Sequence, residues 1–404
     1  KLENYFLDGT KLEANANKYS FVWAKNTRRY QQRLQEKVKE LMLVIEQANE
    51  AENAQYGERD LEEMGGEEPL NAQKLEQKIQ ELNQRLKAWQ AQTEEAETDA
   101  DDEEPGNDPP QPQGPGKGAK QPRKKRGKRG RTKLQKAQDA LKKLEEDCLT
   151  RQKKYEDQEQ KLAGRNSYSK TDVDATFMRM KDDHMRNGQL KPAYNLQIGT
   201  ENQFVVGYSV HQRPGDPGCL IPHLEQTKSM LGSLPRNVIA DSAYGSEENY
   251  AYLNLAGIGN YLKYNNFKKE QRPRHKPNPF AGDQMEYDAE KDELICPARK
   301  RLEYRYTTNR KTENGYRVQR RMYEGKDCEA CPLREQCTRA QGNRWVGISF
   351  QLQEWRKQAC QNLTSEQGKK LRSQRGFEVE GVFGRIKEDW GFRRFLLRGL
   401  DKVK

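Results

Sequence analysis

The sequence predicts an α/β protein whose mixed sheet carries flanking helices and is interrupted by two insertions. The first insertion is a long helical hairpin of coiled-coil type, and the second is β-rich and contains a cysteine cluster. Three observations lead there. Short β-type runs and helical runs alternate at both ends of a charged middle region. Heptad-like spacing fills much of residues 28–165. Four of the seven cysteines fall between 296 and 337.

The bulk numbers are consistent with this division. Of 404 residues, 33% are apolar and 33% charged, against roughly 45–50% and about 25% in ordinary globular chains. The excess polarity is local, which leaves room for one globular domain. Net charge is +11, and a basic surface favours a polyanionic partner. The cysteines are too few and too uneven for a secreted disulfide framework. No apolar run approaches the ~20 residues that span a bilayer, and no signal peptide is visible. A cytoplasmic location, nucleoid-associated if the partner is DNA, is the expectation, and the chain reads as a fragment of a longer protein.

Asn4 to Leu7 reads as a strand that ends at Asp8, with Gly9 as a turn or bulge signal. These begin the core over residues 1–27. From residue 28, Tyr30, Leu34, Leu41, Ile45 and Ala48 recur at helical spacings, and Leu75, Ile79, Leu82, Leu86 and Trp89 follow a 4,3,4,3 seam. Eight acids occupy the eleven positions 94–104, and ten Lys or Arg occupy 117–133. Residues 94–132 are therefore expected to be disordered. The basic tract is either a solvated linker or a nonspecific DNA contact. Leu134, Leu141, Cys148, Tyr155 and Leu162 then repeat every seven, which closes the hairpin.

The core is expected to resume over 166–266. Tyr194–Gly199 and Phe204–Val210 form two β-runs around Thr200–Gln203, a hairpin signal. Leu220–Leu231 reads as a helix, and Asn237–Ala240 as a strand ending at Asp241. A helix opens at Ser246, and Gly259–Tyr264 is a further strand. Residues 267–350 form the β-rich insertion, with strands at Met285–Tyr287, Leu302–Thr307 and Tyr316–Tyr323. The C-terminal helices of 351–404 return to the core. This order is that of a ribonuclease-H-like domain.

Two strands in this order end in an aspartate, Asp8 and Asp241. Carboxylates at strand ends meet at one sheet edge, where divalent ions take oxygen ligands. Two-metal phosphoryl transfer needs such a clamp. The late helix supplies Glu380, with Lys387 seven residues on and so on one helical face. An acid for metal and a base for phosphate suit a nucleic-acid active site, although mixed charge on a helix is usually a solvated face.

Asp8-Gly-Thr-Lys-Leu-Glu-Ala-Asn-Ala, Ala240-Asp-Ser-Ala-Tyr-Gly-Ser and Glu380-Gly-Val-Phe-Gly-Arg-Ile-Lys together resemble the three motif blocks of bacterial insertion-sequence transposases of the DDE type. The closing Trp390-Gly-Phe-Arg-Arg-Phe-Leu-Leu-Arg-Gly is similar as well. The resemblance implies a catalytic and metal-binding triad of Asp8, Asp241 and Glu380 holding Mg²⁺ or Mn²⁺. Arg375, Lys387, Arg385, Arg393 and Arg394 would contact DNA, with Arg375 standing five residues before Glu380. The implied partners are terminal inverted repeats and target DNA, with a homodimer in the synaptic complex and no membrane. The implied reaction is phosphodiester hydrolysis, then strand transfer. A catalytically inactive or domesticated DNA-binding protein of the same fold, a host ribonuclease-H-like nuclease and a coiled-coil scaffold are the alternatives.

Other residues compete for these roles. Asp172 and Asp174 pair closely, as turn or helix caps or in place of Asp8. Tyr244 either packs against the site or acts as a nucleophile. His184 and His211 show no metal spacing. Trp390 and Phe392, at helical spacing from Phe383, read as core or as base-stacking residues. Cys296, Cys328, Cys331 and Cys337 suit a tetrahedral structural Zn²⁺, with reduced unliganded thiols or an iron–sulfur cluster as alternatives. Lys300, Arg301, Arg317, Arg320 and Arg321 would give that insertion a DNA-facing surface. Cys148, Cys219 and Cys360 read as incidental.

Overall fold

The computed structural model describes residues 2–56, 71–100, 132–180 and 188–404. It divides into two compact units, residues 22–166 and residues 1–21 with 167–404. The helical unit therefore starts six residues earlier than the expected boundary at 28.

That unit is built from helices Ala24–Tyr56 and Ala72–Ala100 and a third segment that runs from Lys133 to Leu162 through a π-turn at Leu144–Leu149. The three segments share one core. Leu34, Val38, Met42 and Ile45 meet Leu75, Ile79, Leu82 and Leu86, and Ala137, Leu141, Leu144 and Cys148 complete it. The expected two-armed hairpin is thus corrected to a three-segment bundle. A third apolar stripe at three- and four-residue spacing needs a partner as much as the other two do. Tyr30 is exposed and Leu41 only half-buried, because Val38 and Met42 carry the seam instead. Cys148 is a core residue here. Ala48 lies beyond the described side chains.

The expected disordered tract is corrected at its edges. Helix Ala72–Ala100 takes in its first seven residues. Thr132 caps the third segment by accepting from the Gln135 amide, while the Gln135 side chain accepts from the Thr132 amide, a reciprocal pair that favours initiation there. Residues 101–131 lie outside the described residues.

The second unit contains a six-stranded sheet. Strand Asn4–Glu13 pairs antiparallel with Leu190–Glu201 and parallel with Asn237–Ala240, which pairs parallel with Gly259–Leu262. The long strand Leu190–Glu201 carries Thr176–Arg179 and Phe204–His211 on successive parts of its other edge. Thr176–Arg179 escaped the sequence reading because, unlike the equally short and wholly apolar Val238–Ala240 stretch, it opens and closes on polar residues. The hairpin turn is tight, with Asn202 and Gln203 both in the left-handed region (φ 52° and 67°).

Strand parity sorts the core. Tyr5, Leu7, Val238 and Ala240 face Leu220, Leu224, Leu253 and Ala359 on one side. Phe6 and Ile239 face Leu363, Leu371 and Val379 on the other. Successive strand residues point to opposite faces, so Asp8 follows Phe6 to the second face. Asp241, still extended at φ −78° and ψ −176°, follows Ile239 there.

A separate five-stranded antiparallel sheet joins Glu286–Asp288, Glu293–Ile295, Arg301–Lys311, Arg317–Gly325 and Trp345–Ile348. Its core is Met285, Leu294, Leu302, Tyr323, Val346 and Ile348. Two of its strands, Glu293–Ile295 and Trp345–Ile348, were not read from the sequence. The chain then enters helices Phe350–Thr364 and Glu366–Arg375, and among the described residues no helix is long and apolar enough to cross a membrane.

Candidate active site

The first aspartate does not end its strand, as the sequence suggested. Asn4–Glu13 runs unbroken through Asp8-Gly9-Thr10. Gly9 is not a turn residue. It lies opposite Gln197, and a Cβ there would stand 2.3 Å from Gln197 Nε2 and 2.8 Å from Asp216 Oδ1. The glycine is needed for close approach.

Register does the rest. Leu7 lies beside Ala240, and Ala240 beside Leu262. Asp8, Asp241 and Lys263 therefore stand in a row where the parallel strands finish. Asp8 Oδ1 accepts from the Gly9 amide at 2.8 Å, and Asp241 Oδ1 accepts from the Ala243 amide at 2.8 Å. In each carboxylate the second oxygen, Oδ2, is turned toward Arg375.

The third acid arrives on the helix covering that face. Helix Glu366–Arg375 passes into a π-turn at Gly376–Glu380. A π-turn relates residues five apart, which brings Arg375 and Glu380 together despite a spacing that does not suit an α-helix. Arg375 Nη1 lies 3.8 Å from Glu380 Oε1, while its Nη2 lies 3.0 Å from Asp8 Oδ2 and 3.8 Å from Asp241 Oδ2. The backbone amide of Gln203 donates to Glu378 at 2.6 Å, which ties this turn to the sheet's hairpin.

The three acids thus surround one guanidinium. Arg375 and Asp8 side chains are each 11% exposed, Asp241 is 36% and Glu380 67% exposed. Arg375 Nε has no hydrogen-bond partner among the described residues. Among the described residues no group of His, Cys, Asp or Glu is arranged to hold a metal ion as it stands, because the carboxylates converge on Arg375 instead of on a common point.

The basic residues expected at DNA have defined surroundings in the fold. Arg375 is buried among carboxylates and does not present itself to solvent. Lys387 is buried while Glu380 is mostly exposed, and a second π-turn at Arg385–Asp389 breaks the seven-residue phase that would have aligned them. Arg393 donates to the Lys387 carbonyl and pairs with Glu388, and Arg394 donates to the carbonyls of Ala14 and Ala16. Both are engaged in holding the C-terminal segment. Arg385 is exposed.

The competitors are also placed. Asp172 accepts from Tyr194 Oη and the Gly399 amide, and Asp174 from the Leu400 amide and Gln212. They fasten the C-terminal segment and stand in other company than Asp8. Tyr244 is fully buried and donates to Gln197. Burial, then the charges of Asp216, Asp8 and Asp241, hold its phenol well above the usual range, the wrong direction for a nucleophile. His211 hydrogen-bonds Ser209, and burial pushes it down to about 4. His184 lies outside the described residues. Trp390 is exposed, contrary to a core role, while Phe392 packs edge-on against Phe395. In the second sheet, Arg301 pairs with Asp288 and Glu293, Arg321 with Asp292, and Lys300 donates to the Asp327 carbonyl. Only Arg317 and Arg320 of that proposed basic surface are exposed with no such tie among the described contacts.

Sequence reading missed Lys263 and the polar layer beneath the site. Lys263 is held below the ordinary lysine range by burial, then by Arg375, Lys268 and Arg372, with Asp241 acting against them. Gln197 Nε2 donates to Asn195 and Asp216, and Asn195 Nδ2 to Asp216 at 2.8 Å. The available signal was position, since Lys263 follows its strand as Asp241 follows its own.

Comparison with curated proteins and with solved structures found no match. Residues 295–404 match the family model described as a transposase DDE domain. That span, a little over a quarter of the chain, includes Glu380 and Lys387 and leaves out Asp8 and Asp241. Over those residues the chain is similar to that family.

Proposed function

We propose that the chain is a DNA transposase that carries out metal-dependent phosphodiester hydrolysis and strand transfer at insertion-sequence ends. The observation that carries this reading is the meeting of Asp8, Asp241 and Glu380 on Arg375. The sheet supports it too. Its first three core strands in the main order run antiparallel, and the next two run parallel to the first, as a ribonuclease-H-like core requires.

The donor set fits Mg²⁺ or Mn²⁺. Three carboxylates are hard oxygen ligands, and in Asp8 and Asp241 one oxygen accepts from a backbone amide while the other faces Arg375. Asp8, Asp241 and Glu380 would hold the ions. Bound there, a pair of such ions would lower the pKa of the attacking hydroxyl or water and stabilise the leaving oxygen.

The chain's own residues supply the rest. Arg375 offsets the repulsion of three clustered acids. Lys263, beside Asp241, offers a cation to a DNA phosphate. Gln197, Tyr244 and Asp216 form a packed floor that fixes Asp8 through its neighbour Gly9 and keeps bulk water from beneath the site. The DNA partners are terminal inverted repeats and target DNA, with a homodimer bringing two ends together in a cytoplasmic, nucleoid-associated complex.

A second reading, a catalytically silent DNA-binding protein of this fold, is favoured by the ion pairs that already engage all three acids. Incubating duplex DNA carrying the element's ends with the protein and Mn²⁺ separates the two. The enzyme reading expects 3′-hydroxyl nicks at the ends that disappear in Asp241→Asn. Binding without nicks in either protein supports the silent reading.

A further inference from the structure

We propose that Cys296, Cys328, Cys331 and Cys337 bind one zinc ion as a tetrathiolate that fastens residues 326–344 to the second sheet. The need is visible in the packing. The chain leaves strand Arg317–Gly325 and returns at Trp345, and no residue from Lys326 to Arg344 is buried. An excursion of this length with no core of its own calls for a staple.

The four cysteines, spread over forty-odd positions, line one cavity together. Two tight turns present them. Cys296 opens a turn in which its amide donates to the Lys300 carbonyl and the Arg299 amide donates back to Cys296, with Arg299 left-handed at φ 56°. Asp327, also left-handed at φ 51°, precedes Cys328, and the Cys331 amide donates to the Cys328 carbonyl. Cys328 Sγ accepts from the Arg344 amide at 3.4 Å, the kind of outer hydrogen bond that steadies a metal-bound sulfur. A Cβ on Gly325 would come within 2.9 Å of that Sγ, so the strand end is shaped around it.

Charge points the same way. Clustered thiolates repel one another without a cation. Binding Zn²⁺ would release the four thiol protons to solvent and leave two net negative charges. Lys300, Arg334 and Arg344 line the same cavity and would offset them. Soft sulfur ligands select zinc over the hard cations of the carboxylate site, and the ion would draw the thiols inward, since as they stand they do not form a ready-made site.

The test is elemental analysis of the full chain purified under reducing conditions, combined with thermal melts. One zinc per chain is expected. Cys328→Ser and Cys331→Ser should each retain less than about a tenth of it and melt earlier, while Cys360→Ser and Asp241→Asn keep it. Keeping zinc in Asp241→Asn also separates this site from the carboxylate site. A wild-type protein that holds no zinc and takes up none from an equimolar solution overturns the proposal. So does a disulfide among these cysteines found by mass mapping, or iron with visible absorbance in place of zinc.

Discussion

Arg375 Nη2 stands 3.0 Å from Asp8 Oδ2, with both side chains nearly removed from solvent. Removing one partner of a buried pair leaves an uncompensated charge, at a cost of about 3–5 kcal/mol. Arg375→Gln should therefore lower stability by roughly that amount in chemical denaturation without added metal. Combining it with Asp8→Asn should recover much of the loss. If the double variant is no more stable than Arg375→Gln, the two groups are not coupled as described.

Gly9→Ala should destabilise by about 1–3 kcal/mol, the usual cost of overpacking. The new methyl meets the Gln197 amide and the Asp216 carboxylate, and that amide also holds Tyr244 and Asn195. Gln197→Ala in the same chain should relieve the clash while Gly9→Ala alone does not. A melt unchanged by Gly9→Ala would contradict the close-approach reading.

Buried histidines should make stability fall in mild acid. His223, hydrogen-bonded to Tyr5 and Ser209, is pushed down to about 3, and His211 to about 4, both chiefly by burial. Their folded values lie below the unfolded value near 6.5. The unfolded chain therefore binds more protons between those limits. Stability is complete above about pH 6.5 and declines as pH falls toward 4, by up to about 1.4 kcal/mol per unit per histidine. Melting at pH 5 should lie below that at pH 7, and His223→Asn should reduce the dependence.

The helical unit should respond to its own core. Leu144 is fully buried at the π-turn among residues of all three segments, and Leu144→Ala should cost about 2–5 kcal/mol. Circular dichroism melts of the variant should show the helical signal lost at lower temperature. An unchanged melt would mean the three stripes do not form one core.

Much of the core was legible from pattern. Asn237–Ala240 and Leu220–Leu231 carry unbroken apolar or helical runs, and both stand where the residues indicated. Asp241 was legible for the same reason, a strand followed at once by an acid. The glutamate helix was legible in type but not in phase, because π-turns at Gly376–Glu380 and Arg385–Asp389 depart from any 3.6-residue count. Gly9 misled because a glycine in a strand signals either a turn or a close neighbour, and only the neighbour Gln197, far along the chain, decides between them. The hairpin became a bundle because spacing shows that a stripe is apolar and leaves open what covers it. Arg393 and Arg394 read as phosphate contacts because no pattern in the sequence announces their partners: Arg393 donates to the Lys387 carbonyl and the Glu388 carboxylate, and Arg394 to the carbonyls of Ala14 and Ala16, far away in the chain.

The most direct test of the central claim is a Mn²⁺ titration of the purified chain, with Asp8→Asn, Asp241→Asn and Glu380→Gln measured beside it. Mn²⁺ should bind the wild type, and each substitution should weaken that binding at least about tenfold, since each removes one of the few charged ligands that fix a hard cation. Equal affinity in all four proteins, or no binding in any, would show that these three acids do not form a metal site.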